Sequence, residues 1–119
     1  ELSFKNIDLI ITTDHGTINV QTASRIIGEK DISTNLRYKT GRRMSFDKKN
    51  VFHVEEPSLI NLPHSKISSS FIFAGNDYFF AYPNNYNHYV NYYKNTYQHG
   101  GVSLEEMIIP FVHLSKKDE

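Results

Sequence analysis

Residues 7–16 read IDLIITTDHG, and they carry the clearest fold signal in the chain. The run from Ile7 to Thr12 is short, β-branched and almost wholly apolar, which is typical of a strand buried on both faces of a sheet. The polar residues that follow end in Gly16, which predicts a tight turn at the carboxyl end of this strand. Because ligands of open α/β sheets bind at that end, the turn residues Asp14 and His15 are candidates for a functional site.

The sequence beyond this turn predicts several more strands and few helices. Residues 17–20 fit either an edge strand or a surface turn. Further strands are expected at Val51–Val54, Phe71–Ala74, Tyr78–Tyr82 and Ile108–Leu114. Turn-forming residues between the two middle strands of this set predict a β-hairpin. We therefore expect an α/β fold with a mixed β-sheet and few helices.

The last third of the chain combines a helical pattern with cap and turn signals. Aromatic and apolar residues recur at helical spacing from Tyr86 to Tyr97, which predicts a helix that ends at Gly100–Gly101. Ser103 and Glu106 have the spacing of a capping box and predict one short helical turn. Pro110 cannot donate a ladder hydrogen bond, so the final strand is expected at an edge or with a bulge.

Composition limits both the size and the chemistry of the protein. The chain has 119 residues and a mass of 13.8 kDa, which fits one domain over residues 1–119. Thirteen Lys and Arg balance thirteen Asp and Glu, which argues against nucleic-acid binding driven by bulk positive charge. Apolar runs fall short of the ~20 residues of a membrane span, so no membrane partner is expected. Cysteine is absent, so a metal would be held by His and carboxylates.

A polar, basic segment at 28–50 is expected to form an ordered loop outside the core, because apolar residues are sparse there. Within it, Arg37 offers a bidentate fork and Lys39 a point charge, and both would suit a phosphodiester. Tyr38 between them could stack on a nucleotide base. A solvated basic loop explains the same residues equally well.

Three residues are candidate metal ligands, and each also has a simpler explanation. Asp14 and His15 could bind a Zn²⁺-like ion together, or Asp14 could hydrogen-bond its own backbone beside an exposed His15. His99, which precedes Gly100–Gly101, could be a second ligand or could complement the dipole of a helix end. The other histidines are interpreted as structural: His53, His64, His88 and His113.

Two segments taken together resemble the C-terminal half of the alkaline phosphatase superfamily: Thr12–Thr17 (TTDHGT) and Gln98–Pro110 (QHGGVSLEEMIIP). Asn35–Lys39 and Phe73–Ala74 are similar to the PglZ domain, which occurs in bacterial response regulators linked to type IX secretion. The resemblance extends from about Ile7 to Lys116.

This resemblance implies a dinuclear zinc site for phosphoryl transfer. Asp14 and His15 would bind the metal that activates a Thr or Ser nucleophile, and His99 would bind the metal on the leaving-group side. The substrate would be a phosphoester or a nucleotide, in contact with Arg37–Lys39, and the location would be the cytoplasm.

In the superfamily the nucleophile and further ligands precede the Asp-His-Gly strand, whereas thirteen residues precede Asp14 here. We therefore expect the chain to be the C-terminal part of a domain, to lack a catalytic nucleophile of its own and to be inactive by itself. The upstream half of the same domain would complete the site. A sheet without its neighbours would expose apolar surface, so self-association is expected. The alternative is a non-catalytic interaction or dimerisation module in two-component signalling.

Overall fold

Short strands make up most of the regular structure. The computed structural model describes residues 7–29, 33–63 and 69–115. The elements are β1 (Leu9–Thr12), β2 (Ile18–Val20), β3 (Thr22–Ile27), β4 (Tyr38–Gly41), β5 (Ser45–Phe46), β6 (Val51–Val54), a 3₁₀ turn (Pro57–Ile60), β7 (Ser70–Ala74), β8 (Tyr78–Ala81), α1 (Tyr86–Tyr93), β9 (Thr96–Gln98), α2 (Leu104–Met107) and β10 (Phe111–Leu114).

The strands form small sheets that mix parallel and antiparallel pairing. Two three-stranded sheets have the orders β5-β3-β8 and β4-β7-β6, and two ribbons pair β1 with β10 and β2 with β9. The β3–β8 pair is parallel, and the other pairs are antiparallel. The domain is thus small, sheet-rich and broadly α/β with few helices, as expected. Neither helix among the described residues has the length and apolar character needed to cross a bilayer.

Strand β8 connects the two halves of the hydrophobic core. Phe79 packs with Ile18 and Val20, whereas Phe80 packs with Ile26 and Ile72. Successive side chains of a strand point to opposite faces, so this one short strand supplies both clusters.

The hairpin predicted at Gly75–Asp77 is wrong. The turn itself is present, but β7 pairs with β4 and β6, and β8 pairs with β3. Residues 36–37 lie between the two strands: the carbonyl of Arg37 accepts the N–H of Ala74 at 2.8 Å, and that of Leu36 accepts the N–H of Phe80 at 2.8 Å. A distant segment therefore takes donors that hairpin pairing would have used.

The loop predicted at 28–50 is also wrong, because this segment contributes to the sheets and the interior. It contains β4 and β5, and β4 pairs with β7 along its whole length. Arg37 and Lys39 are 0% and 1% exposed. The sequence pattern gave the wrong environment because two buried positions carry basic side chains. Arg37 pairs with Glu106, and Lys39 donates to the carbonyl of Ser33.

The first strand forms where the sequence predicted it. Its apolar pattern is typical of burial on both faces, whereas it is uncovered here, as expected for a sheet without its neighbouring strands. All four residues of β1 are exposed, as are all four of β10. Within the described residues, β10 is the only strand that pairs with β1. A two-stranded ribbon leaves both faces open, so the apolar sequence remains uncovered.

Several other local predictions are confirmed, and two differ in where an element begins or ends. A strand forms at Val51–Val54, residues 17–20 contain β2, and the Ser103–Glu106 capping box is present. The helix that starts at Tyr86 ends at Tyr93 rather than at the glycines, because β9 follows it. Pro110 lies just outside β10.

Candidate functional site

The first corner of the site, Asp14–Gly16, directly follows β1. His15 Nδ1 lies 2.8 Å from the carbonyl oxygen of Gly16, so a protonated Nδ1 donates to it. This tautomer carries its proton on Nδ1 and leaves the lone pair of Nε2 free, so that Nε2 can bind a metal ion. Nε2 is 3.6 Å from Oδ1 of Asp14. The two adjacent side chains therefore converge on one point at the strand end.

The second corner, His99–Gly101, lies between β9 and α2. The His99 ring stacks on that of His15, with centroids 3.8 Å apart and planes inclined by 13°. The structure thus brings together the two histidines that the sequence singled out, although one lies near each end of the chain. The carboxylate of Asp14 lies beside the stack.

These residues fit a metal in their chemistry. Zn²⁺ binds imidazole nitrogen and carboxylate oxygen at ~2.0–2.2 Å, and a 3.6 Å separation between Nε2 of His15 and Oδ1 of Asp14 lets one ion contact both atoms. The Asp14 side chain is 89% exposed and that of His15 is 39% exposed, so the site is open to ligands. Among the described residues, no cluster of three or more His, Asp or Glu has the geometry of a metal site. These residues would therefore form part of a coordination shell rather than a complete one.

Two glycines allow the corners to approach their neighbours closely. The N–H of Gly16 donates to the carbonyl of Glu106 at 2.9 Å, and a Cβ at this position would lie 1.9 Å from the carbonyl oxygen of Glu105. At Gly101 a Cβ would lie 2.5 Å from the carbonyl oxygen of Ala74. Side chains at either glycine would separate a corner from the structure that supports it.

Arg37 is an internal structural residue with all five of its N–H donors in use. Nε and Nη2 donate to the two carboxylate oxygens of Glu106 at 2.8 and 2.6 Å. The other donors bind the carbonyls of Ala74, Gly75 and Tyr78. The guanidinium therefore has no donor left for a phosphate in this structure, unlike the substrate contact predicted from the sequence.

Glu106 joins both corners to this guanidinium. Its Oε1 also accepts the N–H of Gly101 at 2.9 Å, and its Oε2 accepts the N–H and hydroxyl of Ser103 at 3.1 and 2.6 Å. Its backbone carbonyl holds Gly16. The side chain is 2% exposed. Burial alone would raise the pKa of Glu106, but the hydrogen bonds from Arg37, Ser103 and Gly101 outweigh it and lower the pKa to about 2.

The other two predicted substrate residues lie in different surroundings. Lys39 donates from Nζ to the carbonyl of Ser33 at 2.9 Å and lies 4.8 Å from the centroid of the Tyr82 ring. Burial lowers the pKa of Lys39 to about 8. Tyr38 borders the second corner, since a Cβ on Gly100 would lie 3.0 Å from its ring.

The role of Glu106 was not anticipated from the sequence, which identified it as a helix cap only. Its partner Arg37 lies 69 positions away, and no local pattern links the two residues. The one available signal was the capping box, which placed the Glu106 carboxylate next to the residues after His99. His64 lies outside the described residues.

A family model described as the BREX system PglZ alkaline phosphatase-like domain matches residues 3–114, which is most of the chain. A search of curated proteins finds no match.

Proposed function

The chain belongs to the PglZ family of alkaline phosphatase-like domains, and on that premise we propose that it supplies Asp14, His15 and His99 as ligands of a zinc-dependent phosphoryl-transfer site. The observation that carries this proposal is the contact between the His15 and His99 rings, whose centroids lie 3.8 Å apart. The two histidines come from opposite ends of the chain and lie together beside the carboxylate of Asp14, where solvent has access.

When bound, Zn²⁺ ions would stabilise charge on the phosphoryl oxygens and activate the attacking group. The chain's own residues hold the ligands for this chemistry. The carbonyl of Gly16 fixes the His15 tautomer and presents Nε2, while the exposed Asp14 contributes negative charge beside it. By resemblance, Asp14 and His15 would bind the metal that activates the nucleophile, and His99 would bind the other metal.

We assign no nucleophile to this chain. Ser103, which lies two residues after the second corner, is 6% exposed and donates to Glu106 at 2.6 Å. It is therefore a helix cap rather than an activated nucleophile. The nucleophile and the remaining ligands are proposed to come from an upstream half of the same domain, and the chain by itself is expected to be inactive.

The substrate class within this proposal is a phosphodiester or a nucleotide, and the setting is bacterial signalling in the cytoplasm. This setting rests on the resemblance of Asn35–Lys39 and Phe73–Ala74 to PglZ domains of response regulators, which was drawn from the sequence alone. Of the residues predicted to contact substrate, Tyr38 is retained, because it borders the second corner.

A second candidate function is a non-catalytic interaction module, and the exposed β1–β10 ribbon favours it. The ribbon pairs Leu9 with Leu114 and Ile11 with Val112. These four aliphatic residues lie on one face of the ribbon, since directly opposed residues share a face. All four are exposed, and a face of this kind suits a binding partner.

Metal binding and turnover separate the two functions. Isothermal titration of the chain with Zn²⁺ should show binding that weakens at least about tenfold in Asp14→Ala, His15→Ala and His99→Ala. His88→Ala is the control, since the His88 ring contacts Tyr89 and Tyr92 instead. In the full-length protein, zinc-dependent hydrolysis of bis-p-nitrophenyl phosphate should stop on chelation and in the same three variants. Unchanged Zn²⁺ binding in all three would refute the assignment, and a full-length protein that binds zinc without turnover would favour the interaction module.

A further inference from the structure

We propose, on the basis of the metal site proposed above, that Glu106 is a positioning residue whose pairing with Arg37 sets the separation of the two histidine-bearing corners. Glu106 itself lies outside the candidate ligand set. It contacts the residue that follows His15 through its backbone and a residue of the turn after His99 through its side chain.

The first link runs through the backbone of Glu106. Its carbonyl accepts the N–H of Gly16 at 2.9 Å. Since Gly16 follows His15 directly and its carbonyl accepts from the His15 ring, this bond fixes the strand end that carries the imidazole.

The second link runs through the carboxylate. Oε1 accepts the N–H of Gly101 at 2.9 Å, two residues after His99. One residue therefore holds both turns, in addition to the β2–β9 pairing that places Ile18 opposite Gln98. The position of the Glu106 carboxylate relative to its own backbone contributes to the separation of the two imidazoles.

Arg37 fixes that carboxylate. The bidentate contacts at 2.8 and 2.6 Å leave it little rotational freedom, and the remaining guanidinium donors bind carbonyls of Ala74, Gly75 and Tyr78, at the end of β7 and the start of β8. The site is thus tied to both three-stranded sheets through this side-chain pair, and the N–H of Val102 adds a backbone bond to the carbonyl of Ala74 at 3.0 Å. Fixed partners outside the ligand shell commonly change metal affinity by 10- to 100-fold when they are removed.

The chain offers a matched control for this idea. Glu105 and Glu106 are adjacent in the first turn of α2, but Glu105 is exposed and Glu106 is buried. Glu105→Gln and Glu106→Gln remove the same charge from neighbouring positions. A general electrostatic effect on a cation would therefore appear in both variants, whereas loss of positioning would appear in Glu106→Gln alone.

The experiment measures Zn²⁺ affinity by competition with a chromophoric chelator, with ¹⁵N-histidine spectra of the metal-free chain as the second readout. Glu106→Gln is expected to lower affinity by about 10- to 100-fold and to remove the ring-current shifts of the stacked His15 and His99 rings. Glu105→Gln should change affinity by less than about twofold and keep those shifts. Ser103→Ala, which removes one hydrogen bond to Oε2, should give an intermediate loss and covers the case in which Glu106→Gln fails to fold.

The outcomes distinguish this inference from the metal site itself. If the unmodified chain binds Zn²⁺ and both Glu106→Gln and Ser103→Ala bind it equally well with stacked histidines, positioning by Glu106 is wrong and the metal site stands. If neither the unmodified chain nor the full-length protein binds Zn²⁺ but Glu106→Gln abolishes the stacking shifts, positioning is correct and the metal assignment is wrong. An equal loss of Zn²⁺ affinity in Glu105→Gln and Glu106→Gln would show that Glu106 acts through its charge and would overturn the positioning role.

Discussion

The buried Arg37–Glu106 pair and the exposed β1–β10 ribbon reverse the usual arrangement of charged and apolar residues. The pair is ionic, and its side chains are 0% and 2% exposed. The ribbon consists largely of Ile, Leu, Val and Phe, and each of its residues is exposed. Residue type alone would have assigned these two regions to opposite environments.

The difference shows that burial follows from available partners rather than from hydrophobicity alone. Every donor of Arg37 is matched by a carboxylate or a carbonyl, so the cost of leaving water is offset. The ribbon satisfies its backbone through one strand pair but lacks a surface against which to pack in the described part of the chain. The same fold thus contains a buried charge that is paired and an apolar face that nothing covers in the described part of the chain.

Removal of one member of the ionic pair should have the largest effect on the stability of the fold. Arg37→Met leaves Glu106 buried without its cation, and such losses cost roughly 3–5 kcal/mol of unfolding free energy. Urea denaturation measures the change. Arg43→Met is the control, because Arg43 is 89% exposed and lies 3.9 Å from Glu29, and it should cost less than about 1 kcal/mol. Equal, small losses in both variants would show that the buried pair does not stabilise the fold.

Acid should weaken the same pair by protonating Glu106. The folded-state pKa of Glu106 is about 2, below its ordinary value of 4.5, so its stabilisation is present above pH 4.5 and is lost as the pH falls towards 2. Unfolding free energy measured between pH 6 and 2 should therefore fall more steeply in the unmodified chain than in Glu106→Gln. Parallel curves for the two proteins would contradict this expectation, with Glu105→Gln as the reference for an exposed carboxylate.

A substitution in the β1–β10 ribbon should change the unfolding free energy less than Arg37→Met does, and it should mainly change self-association. Ile11→Lys places a charge on an exposed aliphatic face, so the unfolding free energy should change by less than about 1 kcal/mol. Sedimentation velocity should show concentration-dependent association of the unmodified chain that Ile11→Lys weakens, because a charge on the face opposes its burial. Lys substitution at Leu59, which is 76% exposed in the 3₁₀ turn, is the control. A monomeric unmodified chain at high concentration would show that the ribbon does not recruit a second copy.

Part of the fold and of the site could be predicted from neighbouring residues. The strand at Val51–Val54, the strand before Asp14 and the capping box depend on interactions within a few positions, and the sequence displays them directly. The hairpin at Gly75–Asp77 could not be judged in this way, because its outcome depended on a competing segment at 36–37.

Short-range patterns in the sequence were enough to predict the strand before Asp14, the strand at Val51–Val54 and the cap of α2, since these depend on local backbone preferences and short spacings. The contact between His15 and His99 and the pairing of Arg37 with Glu106 depend instead on how the chain folds. These are choices of partner between residues far apart in the chain. A residue's type limits the partners it can accept, but the fold alone determines which of them lies within hydrogen-bonding distance.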